Sequence, residues 1–493
     1  MSAIGSGTTT PGASPGRVWR KKRLILRRLR VRRVVTLFLS RGADVRSTPS
    51  RHGTARESAS VPALCMKREP VTTRQPVSST RIRAFGAIAA HLVVDLFSFV
   101  LIPLLSVIEG RFHLTPAQGT GLIVIGSVSS GLVQPIVALL SDRHDTRALG
   151  TLGFLLAVVG VGSVGYLQNY AQLVVVQIIA TAGIGAFHPV AAAAVGQLLH
   201  TRRSRAMACF YTAGMLGGVL GNLLAPRWVA GFGHDAAGVY SPAIGLESLA
   251  YLVPFGLVFV ALLSWAVHAA PHRHHDAHAR HAALSPQERR RRWNAIGLLY
   301  VANVLKFAVD NAVIALVKEW SKTLAAAHPD AGLSAADLAL RASAISGPLQ
   351  AAKQVGMGVG GMGLGFFLAR RHEKAALIAM PLLGTLALIV LPFTGHSPGL
   401  SWLICGVAGM AYGATVPLSL SIAQRLLPHR TSLASALMLG GAWSIGSFGA
   451  SFAQGAAQKW GVQWAFAGAG AAMVVAAVSA LFLRRSTLEQ ATG

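Results

Sequence analysis

His91 and Asp95 stand four residues apart inside a long apolar run, so on a helix they share one face and set a base beside an acid. Lys306 and Asp310 repeat that spacing in the second half of the chain. A third element, Gly183-Ile184-Gly185-Ala186-Phe187-His188-Pro189-Val190, buries a histidine next to a proline in the apolar run from Leu173 to Leu199. Ionisable side chains are expensive in hydrocarbon, and they normally face a bundle interior or a water-filled cavity. An acid beside a base at that depth can take up and release a proton, which is the chemistry of a proton relay. The competing reading is an internal ion pair that only holds helices together. For His188, that reading is a single hydrogen bond to backbone opened by Pro189; the functional one is titration near neutral pH. Lys306 could meet an anionic substrate or Asp95, or it could snorkel toward the interface.

The elements that must position these groups are membrane helices. Of the 493 residues, 53% are hydrophobic and 13% charged, about half the charge of a soluble chain, and the mean hydropathy is +0.52. The apolar residues fall in blocks long enough to span a bilayer. The net charge of +28 does not point to nucleic acid, because the bases crowd into residues 1–65 (fourteen Lys and Arg against two acids) and into short loops. Three cysteines are too few for a disulfide framework, and Cys209 and Cys405 read as packing residues.

Residues 1–80 form a basic tail without a packed-core pattern, and the run Arg17–Arg33 suits anionic lipid. A second reading starts translation at Met66. Spans are expected at about 84–108, 119–140, 148–167, 173–199, 206–229 and 244–267, making an N-terminal half of 84–267. A His- and Arg-rich cytoplasmic linker follows at 268–293. Its histidines, His272, His274, His275, His278 and His281, lack an ordered carboxylate or Cys shell, so no metal is expected. The C-terminal half, 294–484, repeats the plan at about 295–317, 349–369, 375–394, 399–420, 433–454 and 464–483, with a polar excursion as far as Ser346 and a tail at 485–493. Loops on the terminal side carry eighteen Lys and Arg against about six on the other, which puts both termini in the cytoplasm. The expected fold is an all-α polytopic membrane protein, with twelve transmembrane helices in two pseudo-symmetric six-helix halves.

The opening motif recurs as Gly413-Ala414-Thr415-Val416-Pro417, and a charged turn recurs after spans two and eight. Ala138 through Arg147 keeps Asp142, Arg143 and Arg147 of the pattern G-x-x-x-D-R-x-G-R-R but lacks both glycines. The copy from Gly365 to Lys374 keeps Gly365, Arg370 and Lys374 but has Ala369 for the acid. With six plus six spans and a basic central loop, the chain resembles the major facilitator superfamily over about 84–484. Its charged turns are read as a structural latch on the cytoplasmic side. Within that superfamily His91-x-x-x-Asp95, Gln134-Pro135, Phe187-His188-Pro189 and the glycine-rich fifth span, with Gly217 and Gly221, look like the fosmidomycin-resistance efflux group. One departure is Gly221-Asn222, where an antiporter of this type carries Gly-Pro.

His91, Asp95, His188, Lys306 and Asp310 are therefore the expected proton-coupling and cavity residues. Gln134, Pro135, Pro189, Gly217, Gly221 and Pro417 are expected to kink or pack helices, and Gly356–Gly360 is a packing seam. Lys353 is a secondary candidate, while Glu109, Glu247 and Glu319 are read as solvated charges at span ends. No phosphate loop of the form G-x-x-x-x-G-K-[ST] occurs, which removes an ATP-driven pump of that kind. No nucleophile motif marks an enzyme, and no cofactor is called for. The expected function is proton-coupled export of a small anionic or drug-like compound across a bacterial-type inner membrane by a monomer, and the resemblance implies a phosphonate antibiotic. A facilitator importing sugars or organic acids is the main alternative. A non-transporting receptor or scaffold is the alternative of another class.

Overall fold

The computed structural model describes residues 77–141, 144–199, 203–268, 285–327, 333–427 and 430–490. The N-terminal tail to residue 76 with Met66, the turn residues Asp142 and Arg143, and the linker histidines from His272 to His281 lie outside the described residues. Among those described, eleven helices are long and apolar enough to cross a membrane. In the first half these are Ser79–Val100, Pro116–Ser141, Arg147–Tyr166, Tyr170–Leu198, Arg205–Phe232 and Pro242–Val267. In the second they are Pro286–Ala326, Arg370–Phe393, Pro398–Leu426, Leu433–Trp460 and Val462–Leu481.

The eighth helix in order, Ala335–Phe367, completes the expected twelve but is more polar along its most apolar stretch than the other eleven. Its glycines and Gln350, Lys353 and Gln354 dilute the apolar character, and those three polar side chains are all buried inside the protein. A helix enclosed by neighbours need not be apolar all round, because protein groups rather than lipid satisfy its polar atoms.

Helix ends extend past the apolar blocks, since hydropathy marks hydrocarbon depth and not hydrogen bonding. The seventh helix begins at Pro286, inside the expected linker, where Ser285 caps Glu288 N–H and Arg292 pairs with Glu288 one turn away. Of the polar excursion expected up to Ser346, the residues to Ala326 continue the seventh helix and those from Ala335 are the first turns of the eighth, started by a Ser334–Asp337 capping box. The first span stops earlier than expected, at Val100, and the chain resumes as the helix Leu105–Arg111. The tenth is split into Pro398–Gly413 and Thr415–Leu426, with Pro417 in the first turn of the second piece.

One apolar core draws all its buried residues from Ala84 to Val267, and two others draw theirs from Ala295 to Leu488. A small cluster joins the halves through Leu105, Ile123, Ile314, Ala315 and Ala450. Large apolar side chains such as Val258, Leu386 and Phe452 remain on the outer surface, where lipid replaces water as their solvent. Related helices use related seams. At Gly217 an added Cβ would strike Leu92 O of the first helix, and at Gly449 of the eleventh it would strike Ala308 O of the seventh. Gly221 packs on Leu96 O in the same way as Gly217. Pro135 and Pro189 lie inside the second and fourth helices, and Pro135 Cδ abuts Gly440 of the eleventh.

Candidate functional site

The first and fourth helices bring His91, Asp95 and His188 together. His91 Nε2 lies 3.4 Å from one Asp95 oxygen, and His188 Nε2 lies 3.2 Å from the other. Each imidazole is fixed at its far nitrogen. His91 Nδ1 is 2.7 Å from Phe210 O, and His188 Nδ1 is 2.8 Å from Ile184 O. A carbonyl only accepts, so both Nδ1 atoms carry hydrogen and donate. His188 thus bonds the carbonyl four residues back, and not that of Gly185 which Pro189 frees. The His91 ring also stacks on Phe210, with centroids 3.8 Å apart and planes at 8°. Room for the acid comes from the fifth helix, where a Cβ at Gly214 would strike both Asp95 and His91.

With Nδ1 occupied as a donor, a neutral histidine offers only a lone pair at Nε2. Two such lone pairs facing an ionised carboxylate would give two acceptor–acceptor contacts in a buried site. The arrangement therefore calls for protons beyond neutral imidazoles and an ionised acid. Among the described residues this trio alone has ligand atoms grouped as a metal site would need, within 4.8 Å of one another. The sequence, from which no metal was expected, did not reveal that grouping.

The second half differs from expectation. Asp310 does not pair with Lys306; its Oδ1 receives Lys353 Nζ from the eighth helix at 2.9 Å, both side chains almost fully buried. Lys306 Nζ turns to the tenth helix and donates to Ser419 Oγ at 3.1 Å, and Ser419 in turn donates to Thr415 O. Spacing along one helix gives a shared face, but an adjoining helix supplied the nearer cation. The secondary candidate Lys353 is thus the direct partner of Asp310.

Asp95, His188 and Asp310 line one central cavity of about 330 Å³, together with Gln134, Tyr211 and Trp443. At the end of the bundle away from the termini, two of the charges read as solvated are paired, and one of them, Glu109, is buried. Glu109, 6% exposed, meets Lys318 at 2.5 Å and Lys322, while Glu319 meets Lys318 at 2.9 Å. Glu247 is half-buried. Glu109 belongs to the first half and both lysines to the seventh helix, so this cluster ties the halves together. Thr120 reinforces it by donating to Gln454 at 2.9 Å, as does Ser127 deeper in by donating to Asn311 at 2.9 Å. Sequence depth alone gave no sign of cross-half partners.

The charged turns act within each half. Arg147 donates to His268 O at the end of the sixth helix, and Lys374 donates to Leu481 O and Leu483 O at the end of the twelfth. Arg370 is exposed. Sequence reading missed Glu373, which takes Arg425 at 2.6 Å and clamps the ninth helix to the tenth.

Two six-helix halves, held across a central cavity lined by an acid from each, define a secondary transporter. The chain belongs to the Major Facilitator Superfamily, whose pattern matches residues 87–451; it is a transporter and not an enzyme. It is 22% identical over 405 residues to the fosmidomycin resistance protein of Escherichia coli (strain K12), covering 79% of this chain and 91% of that one. Its fold is similar to that of a solved bacterial homologue of the human lysosomal transporter Spinster in an inward-facing, unoccupied conformation. The TM-score is 0.56 at 18% identity, over 85% of this chain and 98% of that one. The occupied inward-facing form of that protein matches with a TM-score of 0.56 at 16% identity, over 85% of this chain and 97% of that one.

Proposed function

We propose that the protein exports a small drug-like compound in exchange for protons, with Asp95 as the coupling acid and the two halves rocking about the central cavity. The observation that carries this reading is the Asp95 carboxylate held between two imidazole Nε2 atoms whose Nδ1 positions are already committed. Such a site must hold protons, and it lines the cavity a substrate would enter. A compound binding there competes with, or reorganises, the same charges, which links its passage to proton release. The terminal-side excess of Lys and Arg supports an inner-membrane orientation with both termini in the cytoplasm. Arg147, Lys374 and the Glu373–Arg425 pair then brace the cytoplasmic face, while the Glu109 cluster closes the outer one. The name of the Escherichia coli relative makes fosmidomycin the first probe of substrate. The test is accumulation in everted membrane vesicles with an acidic lumen, so that protons leave as substrate enters, with fosmidomycin and a panel of aromatic cations. Uptake that an uncoupler collapses supports the reading; uptake indifferent to the gradient for every probe overturns it.

A further inference from the structure

In both halves the acid forms the cavity wall and a base stands behind it. Asp95 and Asp310 line the cavity, whereas His91, Lys306 and Lys353 do not. Among the described residues the lining contains no Lys or Arg at all. His188 is the only lining base, and it is spent on Asp95. The remaining wall is predominantly apolar and aromatic. Phe307 and Trp443 meet edge to face with centroids 5.0 Å apart, and Met215 and Met357 add adaptable, polarizable surface.

Lys353 Nζ and the His91 ring satisfy their acids from outside the cavity, so a bound molecule sees the negative end of each pair. A phosphonate or other compact anion would meet two carboxylates, and the base in the wall, His188, is already turned to Asp95. A protonated amine or quaternary nitrogen would meet both acids and the faces of Tyr211, Phe307 and Trp443, which attract cations through the ring quadrupole. The volume suits a small ligand whose apolar body fills the rest, and an inorganic ion would leave that apolar wall uncovered.

We infer that the substrate class is an amphipathic organic cation, its charge held between Asp95 and Asp310 and its aromatic or aliphatic body against Phe307 and Trp443. This rests on the transporter reading and specifies its cargo. Exchange for protons then follows from charge: the cation enters as a proton leaves the Asp95 group, so the cavity alternates between two neutralising ligands.

The test is equilibrium binding to the purified full chain in lipid nanodiscs, using the fluorescent 10-methylacridinium cation and neutral acridine at mildly alkaline pH. We expect the cation to bind at least about tenfold more tightly than acridine and fosmidomycin to leave it undisplaced. Asp310→Asn combined with Lys353→Met, which removes the pair without stranding a charge, should shrink that preference severalfold. If the double variant does not assemble, Asp95→Asn must shrink it instead. Equal binding of the two acridines, or displacement by fosmidomycin at lower concentration than by the cation, would overturn the inference. Binding is read without a gradient, so a cation preference in protein showing no proton-driven flux would keep this inference and strike the coupling reading. Proton-driven fosmidomycin transport with no cation preference would do the reverse.

Discussion

Lys353 Nζ lies 2.9 Å from Asp310 Oδ1, and the two side chains are only 2% and 3% exposed. The pair joins the seventh and eighth helices inside the protein, with Asp310 at the cavity wall. Removing one member leaves a buried charge alone, at a cost of about 3–5 kcal/mol, whereas replacing both with apolar or neutral groups of similar volume is far milder. Lys353→Met alone should therefore lower the unfolding temperature in detergent sharply. Asp310→Asn with Lys353→Met should recover most of that loss, and additive losses would show that the two do not act as a pair.

Glu109 with Lys318 and Lys322 bridges the two halves at the bundle end away from the termini. Lys318→Ala together with Lys322→Ala strands Glu109 and weakens the closure that Thr120–Gln454 shares. We expect a shift toward the conformation open at that end, seen as faster maleimide labelling of a cysteine placed at Thr120, by about tenfold or more. Labelling unchanged from the otherwise wild-type cysteine protein would show that the cluster does not govern this end.

Much of this was legible from residue order. Six blocks plus six, the His91–Asp95 spacing and the depth of His188 pointed to the fold and to the first-half site. Partners across helices were not legible. The spacing of Lys306 and Asp310 predicts a shared face, yet the ligand of Asp310 came from the eighth helix, 43 residues away. Glu109 sits at the end of an apolar block, where water is the default partner, and only the approach of Lys318 and Lys322 from the other half buries it. The early start of the eighth helix was hidden because the turns from Ala335 to Pro348 carry Asp337, Arg341 and serines rather than an apolar block, and a capping box marks their beginning.

Gly217 tests the seam between the first and fifth helices. A methyl there meets Leu92 O, a backbone atom that cannot rotate away, so Gly217→Ala should destabilise by about 1–3 kcal/mol. Gly231 and Gly363 face open space within helices, and alanine there should leave stability unchanged or raise it by up to about 1 kcal/mol. Thermal unfolding of the three variants in one detergent separates the cases, and equal effects at all three sites would remove the packing explanation.

The central claim is that Asp95 carries the coupled proton. The direct measurement compares two modes of transport by Asp95→Asn in proteoliposomes, with the best-bound probe as cargo. Gradient-driven accumulation requires the proton cycle, while exchange of labelled for unlabelled cargo at equal pH on both sides does not. The account predicts that Asp95→Asn loses accumulation and still exchanges. Accumulation equal to wild type in that variant would contradict it and take Asp95 out of the mechanism.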